Sequence, residues 1–154
     1  VQEKLIEQTG VIGEKLEIGS FERISSEFVG SYIHAGNKIA TIVGLSNSFD
    51  GASEVAKNVS MQAAAMNPVA LDESGVSKDV IEKEIEIAKD QLRAEGKPEA
   101  MLDNIAKGKL KKFFKENTLV NQAFIKDNKL SVTDYVKSVN PECSITDFKR
   151  SALV

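Results

Sequence analysis

The chain has 154 residues, a net charge of −3, 42% hydrophobic and 28% charged residues. That is the balance of an ordinary globular protein with room for one good core or two small ones, and it supplies no basic footprint for nucleic acid or anionic membrane. The single cysteine, Cys143, excludes an intrachain disulfide framework and fits a reducing, cytoplasmic compartment, while no run approaches the roughly 20 apolar residues of a membrane span.

Val1 to Gln8 reads as the last two turns of a helix, with Leu5 inward and Thr9-Gly10 as its stop. It has no signal-peptide character, and its charged opening without Met is what a fragment of a longer protein would have. After the connector Val11-Ile12-Gly13, the stretch Lys15 to Glu27 roughly alternates through Leu16, Ile18, Phe21 and Ile24, which predicts a half-solvated strand broken at Gly19-Ser20. Phe28 to Leu45 then reads as two strands joined by a turn. The second limb, Ile39 to Leu45, is apolar or small except for Thr41, which predicts a strand covered on both faces. Three consecutive strands would form an antiparallel meander. The only histidine, His34, stands at the lip of its turn beside Ala35-Gly36-Asn37-Lys38.

Asp50 is the expected N-cap of a helix from Ala52 to Met66, whose apolar positions Val55, Val59, Ala63 and Met66 recur at helical spacing. Met61 and Met66 read as core filling, and Asn67-Pro68 ends the helix. Ser77 is the expected cap of a helix running to about Glu95, with a narrow seam at Ile81, Ile85, Ala88 and Leu92 on an otherwise charged surface. Gly96-Lys97-Pro98 turns the chain, with Pro98 suited to the first helical position of a second helix to about Asn117. That helix carries Leu102, Ala106, Leu110 and Phe113 on one stripe, with Ile105 and Phe114 beside it. Two such seams predict an antiparallel helical hairpin of coiled-coil type projecting from the body.

The remainder predicts short extended pieces at Leu119-Val120 and Gln122 to Ile125, a turn at Asp127-Asn128-Lys129, a short helix Val132 to Val139 capped by Ser131, and a closing strand within Ser144 to Leu153. The expected fold is α+β, with antiparallel sheets packed on helices plus the projecting hairpin. Its parts are residues 1–75 and 119–154 as core, and 76–118 as arm.

No catalytic set is visible. Cys143 reads as a small packed hydrophobe, and His34 with Cys143 cannot supply the four ligands of a structural zinc site. Neither a catalytic residue, a metal nor a cofactor is expected. Gly30 to Lys38 departs from a phosphate loop in spacing and opens a strand rather than a helix. Lys107, Lys109, Lys111, Lys112 and Lys115 read as a solvated helix face rather than a nucleic-acid patch. Asn58-Val59-Ser60 fits a glycosylation acceptor only by accident, being mid-helix.

An ordered set of segments nevertheless resembles bacterial translation elongation factor Ts. These are Val11-Ile12-Gly13-Glu14, then Gly30-Ser31-Tyr32-Ile33-His34 with Lys38-Ile39, and Val59-Ser60-Met61-Gln62-Ala63-Ala64 before Asn67-Pro68. Gly96-Lys97-Pro98, Gly108-Lys109-Leu110-Lys111-Lys112-Phe113, and Gln122-Ala123-Phe124-Ile125 with Ser131-Val132 complete the set. The resemblance implies a guanine-nucleotide exchange factor that binds the GTPase elongation factor Tu and lowers its affinity for GDP. Such a factor breaks and makes no bonds; it must bind the nucleotide-free GTPase better than the GDP-bound one. It further implies that His34 touches the nucleotide domain of that GTPase, that Ile12 is an apolar contact to the same region, and that Ile125 is an apolar contact to another of its domains. A homodimer or a two-plus-two assembly with the GTPase fits the resemblance, with neither nucleic acid nor membrane as partner. A docking module that uses the helical arm for self-association or for another partner is the competing reading.

Three departures accompany the match. The family's N-terminal ubiquitin-associated-like domain and its Thr-Asp-Phe-Val-Ala-Lys-type wedge are not in this sequence, so a C-terminal core fragment is expected. Thr146-Asp147-Phe148-Lys149 imitates the wedge only superficially, and Ala123 replaces the usual proline of the Gln-Pro-Phe motif.

Overall fold

The computed structural model describes residues 1–153. Its centre is a three-stranded antiparallel sheet in the order β1-β2-β5, made of β1 (Phe28–Ile33), β2 (Ile39–Leu45) and β5 (Ile145–Ala152). β1 and β2 pair from Phe28 with Leu45 to Ile33 with Ala40. β5 takes the other edge of β2, from Ile39 with Ala152 to Leu45 with Ile145, with a register shift at Gly44/Leu45. The fold is therefore α+β with antiparallel sheets, as the sequence predicts, but the meander is corrected. Residues 15–25 form no strand. Ile18 and Phe21 along that stretch point to solvent, so nothing holds their alternation in a sheet. The third strand of the sheet is the distant β5, on the other side of β2, and among the described residues no strand lies along the outer edge of β1.

Residues 24–26 instead cross the outer face of the sheet. Ser26 Oγ donates to the Leu45 carbonyl at 2.7 Å and meets Thr146 Oγ1 at 2.8 Å. The crossing is close because Gly44 has no side chain: a Cβ there would lie 2.6 Å from Thr146 Oγ1 and 3.0 Å from Ser26 Cβ. β2 is thus covered on both faces only at this end, since Ala40 at the other end is exposed.

The inner face is covered by α2 (Ala52–Met66). Val43 and Leu45 of the sheet meet Val55, Ala56 and Val59 of α2, and Leu119, Phe124, Val132, Val136 and Cys143 close the same core. Small residues permit the approach: a Cβ on Gly30 would overlap that of Ala56. The residue at the start of α2 is Gly51 (φ 94°) with no side-chain cap, not Asp50. Met66 is 48% exposed rather than core filling, because the sheet ends before it.

Helix α1 (Gln2–Ile12) runs two residues past the expected stop at Thr9-Gly10 and ends at Gly13 in the left-handed region (φ 79°). It buries none of its residues.

α3 (Lys78–Ala94) and α4 (Glu99–Asn117) pack as an antiparallel helical pair. Their antiparallel course is fixed by Arg93 with Glu99 (2.9 Å) and Lys89 with Asp103 (2.6 Å). Ser77 caps α3, accepting from the Val80 N–H, while Pro98 occupies the cap of α4, one position earlier than expected. Ala88, Leu92, Leu102 and Ala106 are buried along the seam. At the base, Phe114 packs with Ala70 and Val76 in a separate apolar cluster. There the chain segments 69–71 and 117–120 are stitched by backbone hydrogen bonds, Val69 N–H to Asn117 and Leu119 N–H to Ala70 among them.

Beyond the hairpin, Leu119–Asn121 is a 3-10 turn, and β3 (Ala123–Phe124) pairs with β4 (Asp127–Ser131) as a second, two-stranded sheet. The reversal lies at Ile125-Lys126, with Asp127 to Lys129 in β4, where a turn was expected. α5 (Val132–Val139) starts with a capping box, Ser131 and Asp134 each bonding the other's backbone N–H. The hydrogen bonds from Ser131 hold the Asp134 carboxyl below its ordinary range.

Candidate functional site

β1 alternates between α2 and solvent, so Gly30 and Tyr32 face the helix while Val29 and Ile33 face outward. His34 continues the inward series past the strand end. The reversal after it needs positive φ at Gly36 (85°) and Asn37 (56°), and is closed by His34 N–H to Ile39 O (2.8 Å) and Asn37 N–H to His34 O (3.0 Å). The His34 ring is exposed. It stands edge-on to Tyr32 at 5.9 Å between centroids, with the phenol oxygen 3.2 Å from Nδ1. The ring is thereby oriented without being buried.

Ile125 is presented in a similar way on the opposite flank of α2. It is 43% exposed at the β3–β4 reversal. Its N–H donates to Gln62 Oε1 at 2.8 Å, and Gln62 Nε2 donates to the Ala123 carbonyl at 3.0 Å and to Gln122 Oε1 at 3.3 Å. Lys126 Nζ donates to Asn58 Oδ1 (2.7 Å), whose Nδ2 donates to Tyr135 OH (2.8 Å). Tyr135 in turn stacks on Phe124 at 4.0 Å between centroids.

Between the two flanks runs an open depression of about 700 Å³ over the outer face of α2, lined by Tyr32, Glu54, Lys57, Asn58, Met61 and Lys126. An aromatic ring and a thioether sit there among two ammonium groups and one carboxylate. That set suits docking of a protein surface with an apolar ridge and acidic flanks. Tyr32, which orients His34, and Lys126, the neighbour of Ile125 in the chain, both line this depression. Ile12 does not join them: it is 54% exposed at the end of α1, which contributes nothing to the depression.

Cys143 is fully buried in the core while His34 is exposed on the hairpin turn, and among the described residues no three His, Cys, Asp or Glu come together as metal ligands. The Phe148 of the wedge-like segment lies in β5 and packs on the core. Asn58 is buried in its bonds to Tyr135 and Lys126, which leaves the glycosylation pattern without an accessible acceptor. The sequence assigns no contact or positioning role to Gln62, Asn58, Tyr32 or Lys126. The available signal was polar residues at i and i+4 on a helix whose neighbours are small and apolar, positions where a buried amide must find partners.

The α+β scaffold and its surface define a protein that presents loop-end side chains on a rigid helix-and-sheet support. The family model for elongation factor Ts matches residues 1–153, and the chain belongs to that family. It is 69% identical over 153 residues to elongation factor Ts of Christiangramia forsetii, covering 99% of this chain and 56% of the relative, and 66% identical to that of Flavobacterium psychrophilum with the same coverage. Against elongation factor Ts of Porphyromonas gingivalis the identity is 40%, covering 99% of this chain and 55% of the relative. The chain therefore spans little more than half the length of these curated relatives.

Proposed function

We propose that this chain is the part of a guanine-nucleotide exchange factor that grips elongation factor Tu, with His34 and Ile125 as contacts on either side of the α2 depression and Ile12 as a separate contact. The observation that carries this is family membership over residues 1–153; the oriented, exposed placement of His34 and Ile125 supports it. The factor promotes GDP release by binding the nucleotide-free GTPase more tightly than the GDP-bound form, a differential affinity that works in both directions. It acts in the cytoplasm and catalyses no chemical step. Assayed as these 154 residues alone, which contain no Thr-Asp-Phe-Val-Ala-Lys-type motif, the chain is expected to bind with little exchange activity. Stopped-flow release of a fluorescent GDP analogue tests this: tight association with nucleotide-free elongation factor Tu and weak acceleration of release are expected, and full-rate acceleration refutes the need for a wedge.

The alternative, an interaction module built on residues 76–118 as a coiled-coil arm, is favoured by Ile87 and Met101, which are 40% and 52% exposed on the hairpin. The stitched base allows residues 78–116 to be replaced by a short Gly-Ser linker. Retained binding to elongation factor Tu supports the exchange-factor reading; loss supports the arm, including its role in a homodimer.

A further inference from the structure

Gln62 is fully buried, yet all its hydrogen bonds go to one small target. Its amide donates to Gln122 Oε1 and the Ala123 carbonyl and accepts from the Ile125 N–H. It behaves toward residues 123–125 as a paired strand would, supplying one donor and one acceptor to the backbone. One turn earlier, Asn58 holds the next residue of the reversal through Lys126 Nζ. The reversal needs such help. β3 has two residues, its pairing to β4 shifts register at Ala123/Phe124, and a two-stranded sheet alone is marginal in water.

The other flank of α2 is fixed just as firmly to the sheet. Thr41 Oγ1 donates to the Ser60 carbonyl at 2.8 Å, and Gly30 lies directly against Ala56. One helix thereby sets both the place of the β1–β2 hairpin, which carries His34, and that of the Ile125-Lys126 reversal.

We infer that Gln62, supported by Asn58, is a positioning residue for partner binding: it holds Ile125 at a fixed distance from His34 and acts on the partner only through that reversal. This rests on the reading of the α2 depression as the surface that binds elongation factor Tu. If Gln62 only filled the core, methionine, similar in length and without its hydrogen bonds, would leave binding unchanged.

The test compares the unaltered chain, Gln62→Met, Ile125→Ala and the double variant, by amide hydrogen exchange and by affinity for nucleotide-free elongation factor Tu. Gln62→Met is expected to speed exchange at the Ile125 N–H about tenfold or more while leaving Val43 unchanged, since a lost buried hydrogen bond opens the site locally. Its affinity should fall about tenfold, and the substitution should cost almost nothing further in the Ile125→Ala background, the non-additivity of residues acting as a unit. If Gln62→Met fails to fold, Asn58→Ala against Lys126→Ala makes the same comparison at the surface-facing end of the pair. Unaltered Ile125 exchange, or fully additive affinity losses, in a chain that binds normally overturns the positioning role alone. Failure of the unaltered chain to bind overturns the binding reading beneath it.

Discussion

Gly30 in β1 abuts Ala56 in α2 so closely that the strand residue has no room for a side chain. The helix reaches the sheet at this point, and everything on the outer face of α2 inherits its position from that contact.

Gly30→Ala is therefore expected to lower stability by about 1–3 kcal/mol, the usual cost of overpacking a well-filled core. Ala56→Gly should restore part of the loss in the double variant, although it costs about 1 kcal/mol by itself through helix propensity. Urea midpoints of the four proteins measure the coupling. Equal midpoints for Gly30→Ala and the parent would mean that helix and sheet can separate freely.

His34→Ala should weaken association with elongation factor Tu about tenfold, or about 1.4 kcal/mol, while changing stability by less than about 0.5 kcal/mol, as expected for an exposed side chain. Tyr32→Phe removes only the hydroxyl that bonds the His34 ring and should give a smaller loss in the same direction. Unchanged affinity in His34→Ala removes His34 from the contact surface. Ile12→Ala, on a helix that buries nothing, separates a direct contact from any structural effect.

Cys143 should resist thiol reagents in the native state, because its sulfur is enclosed by the core and only thiolate reached by solvent reacts. Labelling with Ellman's reagent should follow the opening of the core and accelerate with urea. Stoichiometric labelling within seconds in native buffer would contradict this packing.

The ion pairs of the helical hairpin give it a defined acid response. The hydrogen bond from Arg93 lowers the Glu99 carboxyl below its ordinary range, and that from Lys89 does the same for Asp103. Groups lowered in the folded state stabilise it above their unfolded values, and that contribution disappears as pH falls through the lowered native values. Circular-dichroism melts should show the parent more stable than the Lys89→Met/Arg93→Met variant at neutral pH, with the gap closing below about pH 4. The gap should also shrink in high salt, because both pairs are solvent-facing. A gap independent of both pH and salt would assign the difference to lost side-chain packing.

Elements whose residues interact within a short span were readable from sequence: the Phe28–Leu45 hairpin, α2 up to Asn67-Pro68, the Ser77 cap and the helical hairpin. The misread strand from Lys15 to Glu27 shows where such reading fails. Its spacing resembled alternation, but Ile18 and Phe21 cover nothing and stay exposed, and the third strand of the sheet comes from residues 145–152 on the other side of β2. Local pattern carries no information about which distant segment joins a sheet. The candidate contacts His34, Ile12 and Ile125 came from resemblance and not from residue chemistry, because an exposed ring or isoleucine has no distinctive surroundings in a sequence. Gln62 and Asn58 escaped notice for the opposite reason: they are polar side chains on a helix judged by its apolar stripe, and their partners lie about 60 to 77 residues away.

The pairing of β5 with the middle strand also has a consequence for how the protein is made. A ribosome delivers Ile39–Leu45 a hundred residues or more before the strand that covers its free edge, since Leu45 pairs with Ile145 and Ile39 with Ala152. Throughout that interval the nascent hairpin exposes the unpaired hydrogen-bonding groups of Ile39 to Leu45, the kind of edge that recruits foreign strands. Native closure must wait for the tunnel to release residues 145–152, however early the first hairpin forms.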